Sequence, residues 1–131
     1  MGVPIVDIFA GPGGLGEGFS SFFVDGSYKF KTVLSIEKDP QAQQTLELRS
    51  FFRQFRNNGI EVPIDYYNHL KGLLSRDELF DRYSVEAQKS INEAQCIELG
   101  GDGSKNCPEN VDKLIRNAVG DKKVWGLLGG P

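Results

Sequence analysis

The chain has 131 residues, of which 39% are hydrophobic and 25% charged, and 15 Lys and Arg stand against 18 Asp and Glu for a formal net charge of −3. A chain of this size can bury about two-thirds of its unfolded surface in one globular domain, which excludes a wholly disordered protein. No stretch approaches the roughly 20 apolar residues of a membrane span, and the N-terminus reaches Asp7 before a signal-peptide hydrophobic region could form, so we expect a cytoplasmic protein. The mild acidity argues against strong binding of a nucleic-acid backbone by this segment alone, because such binding depends on Lys and Arg.

The two cysteines and the single histidine give no sign of a metal site or a disulfide framework. Cys96 and Cys107 stand in polar surroundings without a second Cys or His at metal-ligand spacing, so we expect reduced thiols. His69 follows two tyrosines and an asparagine, and we expect it to have a surface or packing role. The sequence therefore indicates no metal ion at the functional site.

The first forty residues predict a β-α-β unit. Residues 3–9 form a short apolar, β-branched run, which is typical of a strand buried on both faces. A glycine turn follows at 11–16, and apolar residues at helical spacing predict a helix over 17–23. Residues 30–36 predict a second strand that closes on Glu37.

Helices dominate the middle of the chain. Asp39 followed by Pro40 is a strong helix start, and the helix is predicted to end at residues 57–59, Asn-Asn-Gly. Residues 60–100 are predicted to be mostly helical, with a capping box that begins at Ser75. Most of this segment exceeds what a minimal crossover requires, so we interpret it as a helical insertion.

The last part of the chain predicts a helix over 108–120 and a buried strand over 124–128. Alternating strands and helices then predict an α/β fold of the Rossmann-like class, with a mainly parallel sheet and right-handed crossovers. In such a sheet the last strand lies beside the first, and another strand normally pairs with the outer edge of the last strand. Because residues 129–131 do not supply one, we interpret residues 1–131 as the N-terminal part of a longer domain.

The main functional signal is the glycine turn. Gly11, Gly13 and Gly16 match G-x-G-x-x-G between a strand and a helix, where backbone amides can approach a ligand closely. Such a turn can also serve only to start a helix. Glu37 favours a ligand site, because a carboxylate about 20 residues past the turn can accept hydrogen bonds from the ribose hydroxyls of an adenosine cofactor.

The acid before the turn favours one class of cofactor. Asp7 precedes the glycines by four residues, and a carboxylate there repels a pyrophosphate but suits a ligand with a cationic end. S-adenosylmethionine therefore fits better than NAD or FAD. An NAD- or FAD-dependent oxidoreductase is the first alternative, and a non-catalytic interaction module with a methyltransferase-like fold is the second.

Three segments in order resemble motifs of the DNA (cytosine-5) methyltransferases. Residues 7–19 resemble the first motif, Asp-Leu-Phe-Ala-Gly followed by a glycine pair and Gly-Phe; residues 36–42 resemble the second, and residues 127–131 the approach to the fourth. The resemblance implies that Phe9 stacks near the adenine, that the backbone from Gly11 to Gly14 holds the methionine part, and that Glu37 holds the ribose. The cofactor residues that it implies are Asp7, Phe9, Ala10, Gly11, Pro12, Gly13, Gly14, Glu37 and Lys38.

The resemblance also implies what this segment lacks. The family's reaction needs a cysteine thiolate that attacks C6 of a flipped cytosine, so that C5 can take the methyl group. The family motif places that cysteine in Pro-Cys-Gln, which is expected just after Pro131, and neither Cys96 nor Cys107 has this context. The resemblance implies double-stranded DNA as the partner of a complete bacterial enzyme of the restriction-modification type, and a fragment that binds cofactor without catalysing.

Two further family motifs have no clear counterpart in this segment. Glu109-Asn110-Val111 spells a family motif, but it precedes the last strand, and Pro108 before it predicts the first turn of a helix. The family's third motif places an acid after the third strand to contact the adenine amino group. Asp65 after residues 60–64 and Asp102 after residues 96–99 both remain open.

Residues 49–56 mix three arginines with three phenylalanines, a combination that occurs in nucleic-acid contacts. Helical spacing favours a plainer interpretation, in which Phe52 and Phe55 pack against the sheet and the arginines face solvent.

Overall fold

A computed structural model describes residues 2–130. Its strands are β1 (Val3–Ile8), β2 (Phe23–Val24), β3 (Ser27–Tyr28), β4 (Phe30–Glu37), β5 (Ala94–Cys96) and β6 (Gly126–Gly129). Its helices are α1 (Gly14–Ser20), α2 (Pro40–Asn57), α3 (Ile64–Leu70), α4 (Arg76–Arg82), α5 (Ser84–Glu93) and α6 (Pro108–Val119), with a 3₁₀ turn at Ser104–Asn106.

Four strands form a parallel sheet in the order β5-β4-β1-β6. β1 lies in the interior, with Asp7 opposite Ser35 of β4 on one side and Leu128 of β6 on the other. This arrangement confirms the α/β Rossmann-like fold and the position of the last strand beside the first. Because the strands are parallel, the carboxyl ends of β1, β4 and β5 meet at one edge, where ligands bind in folds of this class.

The sheet is covered on both faces. Val6, Leu34 and Ile36 form a buried cluster against α6, and α1 and α2 pack on β4. A second core lies away from the sheet, where aromatic residues of α2 meet α3, α4 and α5 around Phe51 and Leu79, both fully buried. None of the helices within residues 2–130 combines the length and the apolarity that crossing a membrane requires.

Local capping explains the helices that were predicted most clearly. The Asp39 carboxylate accepts a hydrogen bond from the Ala42 amide at 3.3 Å at the start of α2, where Pro40 occupies the first turn. The Ser75 hydroxyl accepts from the Glu78 amide at 3.1 Å at the start of α4. The start of α6 at Pro108 confirms that Glu109 lies in a helical first turn.

The structure corrects four sequence-based expectations. Residues 94–96, predicted to continue a helix, form β5, and Phe23 belongs to the short antiparallel β2-β3 pair rather than to α1. Phe52 and Phe55 were expected to pack against the sheet, but Phe55 lies beside the fully buried Phe51 in the second core, and Phe52 is only half-buried. Arg53 does not face solvent: it is 5% exposed, because carboxylates from two other helices surround its guanidinium.

Candidate cofactor-binding site

A cleft of about 360 Å³ opens at the carboxyl edge of the sheet. This volume lies within the range of small-molecule sites. Three segments that follow β1, β4 and β5 supply most of its lining, so the cleft occupies the place where this fold class binds ligands. Its lining residues are Phe9, Gly11, Ile36, Glu37, Lys38, Ile97, Glu98, Leu99 and Gly130.

Glu37 is the most constrained polar side chain of the cleft. Its Oε2 accepts a hydrogen bond from the Gly11 amide at 2.7 Å, and its Oε1 accepts from the amides of Lys38 at 2.9 Å and Asp39 at 3.1 Å. These bonds connect the end of β4 to the glycine turn. A carboxylate has about four lone-pair sites, so this side chain can still accept a hydrogen bond from a ligand hydroxyl.

The glycine turn requires unusual backbone angles. Gly11 and Gly13 have φ values of 57° and 93°, in the left-handed region that favours glycine. A Cβ atom on Gly13 would lie 2.7 Å from Leu46 Cδ2, so the turn packs directly on α2. A Cβ atom on Gly11 or Gly14 would meet nothing within 4 Å, which leaves one side of the turn open to a ligand.

Phe9 combines a strained backbone with an exposed ring. Its φ is 53°, although it is not glycine, and its side chain is 58% exposed at the wall of the cleft. A bulky residue in this conformation costs about 1–3 kcal/mol and persists only when its surroundings impose it. The adjacent Ala10 amide donates to Ile36 O at 3.1 Å, which fixes this turn to β4.

Asp7 lies behind the turn rather than in the cleft. Its side chain is 1% exposed, and its Oδ2 would be 2.8 Å from a Cβ atom on Gly16, so it faces α1. Burial raises the pKa of this carboxyl above its ordinary value, and the Gly16 amide and the charge of Arg53 offset part of the rise. Asp7 therefore does not reach a ligand bound in the cleft.

The other predicted cofactor residues divide into two groups. Phe9, Gly11, Glu37 and Lys38 line the cleft together. Ala10, Pro12, Gly13 and Gly14 belong to the same turn without lining it.

Neither candidate acid of the third motif lines the cleft. Asp65 lies in α3, where it accepts from Tyr83 Oη at 3.0 Å and pairs with Arg82, and Asp102 is exposed. Glu98, two residues past β5, lines the cleft instead. Sequence reasoning missed Glu98 because β5 has only three residues, too few to show the alternation of a strand. The one feature that could have indicated it is the acid that directly follows Cys96 and Ile97.

The remaining chemically notable residues lie outside the cleft lining. Cys96 and Cys107 are free thiols, and the His69 ring shares a hydrogen bond of 2.9 Å with Leu74 O. Within residues 2–130 no group of three or more His, Cys, Asp or Glu side chains could hold a metal ion.

Comparison with known proteins relates this chain to one class of enzyme. It is similar to Type II methyltransferase M.Bpa9945I of Bacillus paralicheniformis, with 26% identity over an alignment that covers 97% of this chain. This similarity supports a methyltransferase relationship. The chain spans 30% of the length of that relative. No family model and no solved structure matches the chain.

S-adenosylmethionine, the methyl donor that such a relationship suggests, fits the chemistry of the cleft. Glu37 offers a fixed acceptor for hydroxyl groups, Phe9 offers a ring face, and the open glycine turn permits close backbone approach. Glu37 and Glu98 outnumber the one cation of the lining, Lys38, which disfavours a pyrophosphate.

Proposed function

We propose that this chain is the S-adenosylmethionine-binding part of a DNA (cytosine-5) methyltransferase, which transfers a methyl group to C5 of cytosine in double-stranded DNA. The observation that carries the proposal is the cleft that joins the glycine turn to Glu37 at the carboxyl edge of a parallel sheet. The similarity to a Type II methyltransferase supports the transferase class. The resemblance of residues 7–19, 36–42 and 127–131 to family motifs supports the cytosine-5 reaction and a restriction-modification role.

The proposal gives each wall of the cleft a role in binding. Glu37 accepts a hydrogen bond from a ribose hydroxyl, and Phe9 stacks on the adenine. The backbone from Gly11 to Gly14 holds the methionine part, and Lys38 borders the nucleoside. Glu98 takes the role that sequence analysis left open between Asp65 and Asp102, as the acceptor for the adenine amino group.

Asp7 acts indirectly in this proposal. Its carboxylate lies beneath the N-terminus of α1, close to Gly16. There it fills the space beneath Gly16, where a Cβ atom would lie 2.8 Å from its Oδ2, and so helps to hold the turn in place.

Bound S-adenosylmethionine supplies a methyl group on a positively charged sulfur, and the residues of this chain orient that group and shield it from water. The thiolate that the cytosine reaction needs is not assigned to Cys96 or Cys107, neither of which lines the cleft. We propose that a cysteine following Pro131, which lies outside the described residues, supplies it.

Calorimetric titration tests the cofactor assignment. The purified chain is expected to bind S-adenosylmethionine and S-adenosylhomocysteine and to bind NAD⁺ much more weakly. Preferential binding of NAD⁺ would contradict the proposal and favour an oxidoreductase.

Product analysis tests the cytosine-5 assignment. The encoding gene is read past Pro131 for Pro-Cys-Gln, and DNA treated with the protein containing that sequence is digested to nucleosides. We expect 5-methylcytosine by mass spectrometry. An N-methylated base would retain the methyltransferase class but reject the cytosine-5 chemistry, and the lack of any methylated base would favour an interaction module.

A further inference from the structure

One buried arginine joins the two sides of the cleft. Arg53 lies in α2 and is 5% exposed. Its Nη1 lies 2.6 Å from Glu17 Oε2, and its Nη2 lies 2.5 Å from Glu93 Oε1. Arg53 itself does not line the cleft, so it does not contact a ligand there directly.

Each partner is connected to one wall of the cleft. Glu17 belongs to α1, and its amide donates to Gly13 O at 2.9 Å, which ties it to the glycine turn. Glu93 is the last residue of α5 and immediately precedes β5. The chain from Glu93 reaches Ile97 and Glu98, which line the opposite wall, within a few residues.

The surrounding charges balance. Arg56 Nη1 lies 3.7 Å from Glu17 Oε1, and Arg56 Nη2 donates to Ser20 O at 2.8 Å. Gln54 Nε2 donates to Glu93 Oε2 at 3.4 Å. Two arginines and two glutamates thus form one network, in which Arg56 Nε is the one buried side-chain atom without a partner among the described residues.

Energy alone does not account for such a network. Removing two charges from water costs about as much as their attraction returns, so well-packed apolar residues could stabilise the same place equally well. A planar guanidinium, by contrast, fixes the directions of two carboxylates at once. The network therefore specifies the positions of α1 and α5 relative to α2 more than it adds stability.

We propose that Arg53 is a positioning residue, which sets the affinity of the cleft for its cofactor by holding Glu17 and Glu93, and with them the glycine turn and the segment after β5. This inference rests on the proposed function for the identity of the ligand. It adds a residue that no motif of the sequence singled out as part of the site.

The test compares one conservative substitution at two ion pairs. Arg53→Lys keeps the charge, but a single ammonium group cannot hold both carboxylates in the same geometry. Arg76→Lys is the matched control, because Arg76 also joins α2 to a second helix through Glu47 and lies away from the cleft. Glu17→Gln tests the glycine-turn half of the network alone, and it still allows a test if Arg53→Lys fails to fold.

Two measurements are made on each variant, the affinity for S-adenosylhomocysteine by calorimetry and the exchange rates of backbone amides. We expect Arg53→Lys to lower the affinity roughly three- to thirty-fold, the range found for residues that act on a ligand through intermediates. The amides of Glu17 and Ile97, which donate to Gly13 O and Glu37 O at 2.9 and 3.1 Å, should exchange faster. Glu17→Gln should accelerate exchange of the amide at position 17 more than exchange of the Ile97 amide, and Arg76→Lys should change neither the exchange of these two amides nor the affinity.

Unchanged affinity in both Arg53→Lys and Glu17→Gln would overturn the inference. It would also be overturned if Arg53→Lys and Arg76→Lys had equal melting temperatures and lost the same amount of affinity. If the unaltered chain takes up no S-adenosylhomocysteine, the proposed function fails. The exchange rates of the Glu17 and Ile97 amides then decide on their own whether Arg53 holds the two walls.

Discussion

Glu37 Oε2 accepts a hydrogen bond from the Gly11 amide at 2.7 Å, so the acid at the end of β4 and the turn after β1 form one unit before any ligand binds. The two residues are 26 positions apart in sequence. The bond couples the position of the glycine turn to the end of β4.

Replacing Glu37 tests this unit. Glu37→Ala removes the acceptor for the ribose and the restraint on the turn, and we expect the free energy of cofactor binding to weaken by about 1–3 kcal/mol. Calorimetry with S-adenosylhomocysteine measures the change, and Glu61→Ala, at an exposed acid outside the cleft, is the control. Equal affinity of Glu37→Ala and the unaltered chain would remove Glu37 from the site.

Phe9 offers a test in which stability and binding move in opposite directions. Asn tolerates a positive φ better than Phe, so Phe9→Asn should leave the free energy of unfolding unchanged or raise it by about 1 kcal/mol. The same variant should bind S-adenosylhomocysteine more weakly, because the ring at the wall of the cleft is lost. Urea denaturation measures the free energy of unfolding, and calorimetry measures the affinity for S-adenosylhomocysteine. A large loss of stability would show that the ring is needed for packing.

Asp7 predicts a dependence of stability on pH. Burial raises the pKa of its carboxyl from the ordinary value of 3.8, so the folded chain holds that proton more tightly than the unfolded chain does. The contribution of Asp7 to the free energy of unfolding should therefore fall as the pH rises from about 3.8 through the folded pKa.

Asp7→Asn removes that titration, so its stability should decline less than that of the unaltered chain as the pH rises above 3.8. Urea denaturation at several pH values measures the difference. Asp121→Asn, at an exposed carboxyl, is the control. Parallel pH profiles for Asp7→Asn and the unaltered chain would contradict the prediction.

Two glycines of the first motif should respond differently to alanine. Gly13→Ala places a Cβ atom 2.7 Å from Leu46 Cδ2 at a φ of 93°, and we expect a loss of at least about 1 kcal/mol in the free energy of unfolding. Gly18→Ala lies within α1 in open space and should stabilise by about 0.5–1 kcal/mol. Melting temperatures that fall equally would show that the backbone angle at Gly13 is unimportant.

The outer edge of β6 predicts self-association of this chain at high concentration. β6 pairs only with β1 within the described residues, and Leu127 on it is 56% exposed. An unpaired strand edge of this kind promotes edge-to-edge pairing, which Lys opposes. Light scattering should show less association for Leu127→Lys, whereas Leu73→Lys, at an exposed leucine away from the sheet, should not change it. A monomeric unaltered chain at high concentration would refute this.

Sequence patterns predicted the elements whose ends carry strong local signals. Asp39 and Pro40 mark the start of α2, and the β-branched run of β4 ends at Glu37, where the structure also ends it. These signals act between near neighbours, so they can be identified without knowing the rest of the fold. The position of the last strand beside the first then followed from connection rules for parallel sheets.

The patterns failed where distant segments decide the outcome. Ala87, Ile91 and Ala94 continue a helical stripe, yet pairing with β4 makes Ala94 the first residue of β5. Glu98 was missed for the same reason, since its place in the cleft depends on that pairing. The burial of Arg53 depends on carboxylates 36 and 40 positions away, which helical periodicity does not reveal.

α2 bears on the cleft although none of its residues lines it. Leu46 lies beneath Gly13, and Arg53 holds the helices that lead to both walls. A genetic screen for impaired cofactor uptake should therefore recover substitutions on the inner surface of this helix, at positions that an inventory of ligand contacts would omit.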